Sequence, residues 1–279
     1  MKPDMETLPF HCLGGMSGPG NSIEMLLGTL NLEEDCRMIS SKEDCTLLNN
    51  GLKMPWLGFG TWQIDDGQEV EHSVRSALEI GYRSIDTAAV YGNERGVGRA
   101  IRESGIPREN IFLTTKVWND AQREKRTLAA FEESLKRLQT EYVDLYLIHW
   151  PVEGYSQETW QVMEKIYQSG RAKAIGVSNF LIHHLQDLLR GCHIVPSVNQ
   201  VEFHPFLVQP ELLRFCQSHK IQVEAWSPLM SGQIFTVQAV QEVADKYHKT
   251  PAQIALRWDL QHEVVTIPKS THSNRIAEN

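Results

Sequence analysis

Residues 111–120 read IFLTTKVWND, an apolar and β-branched run that stops at Lys116 and passes into a polar loop. That is the pattern of a buried strand whose C-terminal end opens onto a pocket. The same pattern recurs in RSIDTAAVYGNE (83–94), which reaches Asp86 and then Tyr91, and in VDLYLIHWP (143–151), which reaches His149. A tyrosine, a lysine, an aspartate and a histidine at such ends form a set able to move protons without a metal.

Working outward, short β-branched runs alternate with amphipathic helical stretches from Leu47 onward, the signature of repeated β/α units around a parallel sheet. Strands are predicted over Trp56–Thr61, Arg83–Asp86, Ile111–Lys116, Val143–His149, Ala172–Val177, Val198–Val201, Gln222–Ser227 and Val264–Ile267. Helices are predicted over Glu69–Ile80, Glu94–Glu103, Glu124–Leu138, Glu158–Gln168, Leu181–Leu189, Pro210–Ser218 and Pro251–Leu260, with an extra one near Val237–Tyr247. Pro210 and Pro251 sit in first turns, where a missing N–H is tolerated, and Thr250 is suited to cap the second of these helices.

Eight strands with intervening helices close most naturally as an α/β (β/α)8 TIM barrel, with a doubly wound open sheet as the other arrangement. The dinucleotide fingerprint of that other arrangement is missing, since LGFGTWQ (57–63) carries Gln63 where its third glycine belongs. A dinucleotide, if bound, is bound in another way.

Residues 45–279 are expected to form one barrel domain. Residues 1–44 are expected to be an extension, disordered or non-native, with a Gly/Pro/Ser cluster at 14–22 and Met38 as an alternative start.

The chain has 279 residues, 41% hydrophobic and 22% charged, as in an ordinary water-soluble globular protein. Its net charge of −8 argues against nucleic acid or an anionic membrane as the main partner. No apolar run reaches the roughly 18 residues of a membrane span. Five cysteines without a C-x-x-C pair, and histidines without ligand spacing, point to reduced thiols in a cytoplasmic protein with no metal.

Lys116 has three readings: an ion-pair partner, a Schiff-base nucleophile, or a charge that tunes a neighbour. An ammonium beside a phenol favours the phenolate, so the third reading lowers the pKa of Tyr91 and makes it a proton donor near neutrality. His149 is either hydrogen-bonded scaffolding or a group that orients a substrate oxygen.

Further along, GVSNF (176–180), VNQVEFHP (198–205) and EAWSPLMSG (224–232) end strands in small hydrogen-bonding residues or an aromatic ring. Ser178, Asn179 and Gln200 suit a carboxamide, and Trp226 offers a face on which a ring can stack. In TIPKSTHSNRIAEN (266–279), Lys269, Ser270 and Arg275 stand at a strand end and a helix start, where they suit an anion. Ordinary loop corners and a solvated basic turn are the alternative readings of these segments.

The segments GFGTWQ, IDTAAVYGNE, TTKVW, YLIHWP, AIGVSNF, VNQVEFHP, AWSPL and IPKSTHSNRIAEN stand in the order and spacing of one family. From about Cys45 to Asn279 the chain resembles the aldo-keto reductases, in particular microbial members of the glyoxal, methylglyoxal and diketogluconate reductase type. The resemblance implies NADPH-dependent reduction of aldehydes and ketones, with Asp86, Tyr91, Lys116 and His149 as a catalytic tetrad and Tyr91 as general acid. It implies that Trp62 and Trp118 join His149 in lining the substrate pocket. It further implies that Ser178, Asn179 and Gln200 bind the nicotinamide amide, that Trp226 stacks on the ring, and that Ser227 and Leu229 follow the pyrophosphate. Lys269, Ser270 and Arg275 would take the 2′-phosphate, and Glu278 with Asn279 the adenine.

A monomer acting on a small carbonyl compound is expected. The sequence stops just after the adenine motif, so the family's last helix and C-terminal loop are expected to be incomplete. A catalytically impaired NADPH-binding protein and a Schiff-base aldolase are the alternative functions.

Overall fold

The computed structural model describes residues 39–279; the part of the expected extension over 1–38 lies outside the described residues. A hairpin comes first. Strands β1 (Cys45–Leu47) and β2 (Lys53–Pro55) pair antiparallel around a turn in which Gly51 takes φ +85°, a conformation that costs little without a Cβ. Thr46 Oγ1 donates to Gln222 Oε1 at 2.9 Å and Asn49 Nδ2 to Pro196 O at 3.0 Å. These bonds hold the hairpin against the residues that lead into the later strands, at the N-terminal end of the sheet.

Eight parallel strands follow, all at the predicted places: β3 (Phe59–Gly60), β4 (Ser84–Asp86), β5 (Phe112–Val117), β6 (Val143–Ile148), β7 (Ala172–Ser178), β8 (Val198–Glu202), β9 (Gln222–Trp226) and β10 (Val265–Thr266). They lie side by side in chain order. The sheet then closes on itself: Thr266 N donates to Trp56 O at 3.0 Å, Gly58 N to Thr266 O at 2.9 Å and Gly60 N to Pro268 O at 3.0 Å. Closure removes both sheet edges and makes the (β/α)8 barrel.

The helices are α1 (Gln68–Ile80), α2 (Glu94–Glu103), α3 (Asn119–Arg123), α4 (Thr127–Leu138), α5 (Ser156–Gln168), α6 (Ile182–Gly191), α7 (Pro210–Ser218), α8 (Gln238–Tyr247), α9 (Pro251–Gln261) and α10 (Ser273–Glu278). The helix expected over Glu124–Leu138 begins instead at Thr127, because the chain breaks at Lys125 (φ +55°) after the short α3. Thr250 caps α9 as expected: Gln253 N donates to Thr250 Oγ1 at 3.3 Å, and Thr250 N donates to Gln253 Oε1 at 3.1 Å. Such a cap stabilises a helix by about 1 kcal/mol. Where α2 crosses the end of α4, a Cβ on Gly98 would meet Leu138 O at 2.2 Å, so the close approach requires glycine there.

The strands' two-residue alternation sorts their side chains between two cores. Ile85, Leu113, Val117, Tyr146, Ile148, Ile175, Val177, Val223 and Ala225 belong to the large cluster under the helices. Phe112, Leu145, Leu147, Ala174, Val198 and Val265 belong to a second cluster inside the barrel, completed by Leu48, Met54 and Trp56 from the hairpin region. Apolar side chains thus fill the N-terminal half of the barrel interior. The same parity brings Asp86, Lys116, His149, Ser178, Gln200 and Glu224 to the interior above them.

Candidate active site

At the C-terminal end of the strands, Lys116 Nζ donates to Asp86 Oδ1 at 2.6 Å, to Thr87 O at 3.1 Å and to the Tyr91 hydroxyl at 3.3 Å. Lys116 is fully buried and Asp86 is 3% exposed, so each charge depends on the other for compensation. Burial opposes the ammonium, but Asp86 and Tyr91 outweigh it and hold Lys116 above the ordinary lysine range.

The phenol departs from the sequence expectation. Burial pushes Tyr91 above the ordinary tyrosine value, and Lys116, which pulls it down, offsets that only in part because Asp86 pushes the other way. Tyr91 is therefore a firmly protonated donor near neutrality, not a partly ionised one.

His149 packs edge-on against Tyr91, with ring centroids 5.6 Å apart, and against Trp118, at 5.1 Å. Burial and the nearby Lys116 charge keep its imidazole well below the usual histidine value, so it is neutral. Its Nδ1 is buried with no hydrogen-bond partner. Trp62 lies beyond, 40% exposed, on a loop tied to this centre: Thr61 Oγ1 donates to Asp86 O at 2.9 Å, and Asn93 Nδ2 donates to Thr61 O at 2.9 Å and Ile64 O at 3.0 Å. Asn93, which the sequence reading did not single out, is fully buried and fixes the approach of Trp62 to the turn that carries Tyr91.

Beside the tetrad a second group converges. Ser178 Oγ donates to Gln200 O at 2.8 Å, and Asn179 Nδ2 donates to His149 O at 2.9 Å and Ser178 Oγ at 3.1 Å. Trp226 Nε1 donates to Asn179 Oδ1 at 2.9 Å, which fixes the edge of the indole. Gln200 Nε2 donates to Asp86 Oδ2 at 2.9 Å and to Glu224 Oε2 at 2.7 Å. Glu224 was also missed in the sequence; its signal was an acidic residue inside an otherwise buried strand.

The remaining predicted residues lie further along the rim. Ser227 (φ +54°) follows β9, and Leu229 packs on the small cluster of Ile234, Val240 and Ala255. Lys269 and Arg275 are exposed and, among the described residues, make no ion pair. Ser270 Oγ accepts from His272 N at 3.1 Å, and Gln253 Nε2 donates to Glu278 O at 2.9 Å, which ties α9 to the end of α10.

These groups fit a nicotinamide dinucleotide. The braced indole and two uncommitted cations at the rim are groups that such a ligand would meet.

The Aldo/keto reductase family model matches residues 56–279. The chain is 54% identical over 242 residues to the glyoxal reductase of Bacillus subtilis (strain 168), covering 87% of this chain and 88% of that protein. It is 48% identical over 236 residues to methylglyoxal reductase DkgA of Escherichia coli (strain K12), covering 83% and 85%. The crystal structure of an aldo/keto reductase from Brucella melitensis superposes with a TM-score of 0.81 at 47% identity, covering 85% of this chain and 91% of that one. A barrel with its polar residues gathered at one end thus defines the class, and the chain belongs to the aldo/keto reductase family. It is an oxidoreductase acting on carbonyl groups, from a family that uses nicotinamide cofactors. Among the described residues no helix is long and apolar enough to cross a membrane.

Proposed function

We propose that this protein reduces aldehydes and ketones to alcohols with NADPH, and that Tyr91 is the general acid. The observation that carries this reading is the Tyr91 hydroxyl 3.3 Å from Lys116 Nζ, across the ring contact from a neutral His149. NADPH supplies the hydride when bound. Tyr91 and His149 hold the developing oxyanion, and Tyr91 then gives it a proton. Lys116, held as an ammonium by Asp86, steadies the phenolate that remains until solvent returns the proton.

Trp62 and Trp118 wall the substrate side with His149. On the cofactor side, Trp226 offers its face to the nicotinamide while Ser178, Asn179 and Gln200 frame the ring's amide. Ser227 and Leu229 follow the pyrophosphate, Lys269, Ser270 and Arg275 receive the 2′-phosphate, and Glu278 and Asn279 meet the adenine. Small oxo-aldehydes of the kind named for the relatives fit a pocket walled by aromatic rings and one imidazole. Residues 45–279 form the catalytic domain in this reading, 1–44 an extension to it. In this reading the protein works as a cytoplasmic monomer.

The test follows NADPH consumption with methylglyoxal and with an aromatic aldehyde, alongside NADPH binding by fluorescence quenching. Tyr91→Phe should abolish turnover and spare binding; substantial turnover in that variant would remove Tyr91 from its role.

A further inference from the structure

The barrel interior holds one more carboxyl than its ammonium can balance. Asp86 uses Oδ1 for Lys116 and Oδ2 for Gln200, so its negative charge is matched and both its oxygens are bonded. Glu224 shares the same Gln200 amide nitrogen, which has one hydrogen for each carboxyl. Its other oxygen, Oε1, is buried without a partner, and the side chain is 1% exposed. Its neighbours across the sheet are Gln200 on β8 and Val265 on β10, neither of them charged. The titratable groups facing it across the barrel are Asp86 from β4, Tyr91 from the turn after β4, and Lys116 from β5.

An anion with one neutral donor, next to a second anion and buried in the protein interior, is strongly disfavoured; of two carboxyls sharing such a site, one keeps its proton. Asp86 has the ammonium, so the proton falls to Glu224.

We propose that Glu224 is a positioning residue of the catalytic centre, protonated at neutral pH, whose ionisation in alkali keeps the Tyr91 phenol in its proton-donating form. The proposal rests on Tyr91 as the general acid. Burial first, and then the charge of Asp86, push the Glu224 carboxyl up to about 8, so it loses its proton before the phenol does. The charge then placed near Tyr91 opposes the pull of Lys116. Reduction consequently persists to higher pH than the Lys116–Tyr91 pair would allow alone. The shared amide has a second consequence. Both hydrogens of Gln200 Nε2 point inward to carboxyls, so the carbonyl end of that amide is the one left for a ligand.

Glu224→Gln keeps the shape and removes the ionisation. The alkaline limb of kcat/KM for reduction should move to lower pH, since the Glu224 charge that raises Tyr91 is gone. The phenolate absorbance of Tyr91, taken as the difference from a Tyr91→Phe titration, should move with it. A limb and a phenolate titration that both stay in place in folded Glu224→Gln overturn the proposal, even if Tyr91→Phe is inactive. Turnover that survives in Tyr91→Phe instead overturns the general-acid reading, and the proposal with it.

If Glu224→Gln does not fold, the wild-type protein decides, labelled with 13C at its glutamate carboxyls. One resonance titrating near pH 8 supports the proposal; glutamates that all complete their titration below neutrality overturn it.

Discussion

Lys116 Nζ stands 2.6 Å from Asp86 Oδ1, with neither side chain open to solvent. A pair so placed contributes little net stability, because each charge gives up its hydration to meet the other, but breaking it on one side strands an anion or a cation in the core. Lys116→Met should therefore cost about 3–5 kcal/mol in denaturant unfolding at neutral pH. The double variant Lys116→Met/Asp86→Leu should recover most of that loss while remaining inactive. Equal destabilisation of the single and double variants would show that the pair's charges are not what the single variant disrupts.

His149 gives a pH signature. Its imidazole lies well below the usual histidine value of 6.5, through burial and then the Lys116 charge, so the profile of kcat/KM should show no limb from it in the ordinary histidine range. The linkage sign follows from the depressed value: the unfolded chain takes up the proton first, and this group's stability contribution, present above pH 6.5, is lost as pH falls toward the folded value. His149→Ala should lower kcat by about 10²–10³, as loss of an oxyanion donor does. A limb near 6.5 that vanishes in this variant would contradict a neutral His149.

Most of this centre was legible in the sequence because an apolar, β-branched run that stops at a polar residue is a strong signal. The apolar runs that ended on Asp86, Lys116 and His149 placed those residues at the barrel's C-terminal mouth, whereas the parity that turns them and Gln200 inward emerged only with the fold. What escaped notice lay in weaker signals. The β1–β2 hairpin has strands of three residues each, too short for a period to show. The break at Lys125 is a left-handed residue without glycine to mark it. The elevation of Tyr91 could not be read from residue types alone, since Lys116 and burial act in opposite directions and the depth of the phenol in the fold decides which is larger. Glu224 was visible as a letter, but its meaning depends on Gln200 reaching both it and Asp86.

Lys269 and Arg275 are the cations that the proposed function assigns to the 2′-phosphate of NADPH. Both are exposed and, among the described residues, unpaired, so replacing either by Ala removes a charge from the ligand without disturbing a network. Each replacement should raise the Kd for NADPH by about tenfold, the loss of one charge-assisted hydrogen bond, and leave that for NADH nearly unchanged. Equal weakening of both cofactors would place the 2′-phosphate elsewhere.

Asp259 tests the electrostatics of the closing seam, away from the chemistry. The carboxyl lies on α9, fully buried, with Thr266 Oγ1 donating to its Oδ2 at 2.8 Å and Oδ1 unpartnered. Burial raises it well above its ordinary value of 3.8, and the threonine bond only partly opposes that. Above pH 3.8 the unfolded chain releases this proton while the folded chain keeps it, so the wild type loses stability as pH rises toward the folded value. Asp259→Asn has nothing to ionise and the same shape. Its stability relative to wild type in urea unfolding should therefore improve as pH is raised from 5 to 8, by up to about 1.4 kcal/mol per pH unit. A difference between the two proteins that stays constant over that range would mean that Asp259 is ionised in the folded barrel, with its charge met by a donor that the seam does not show.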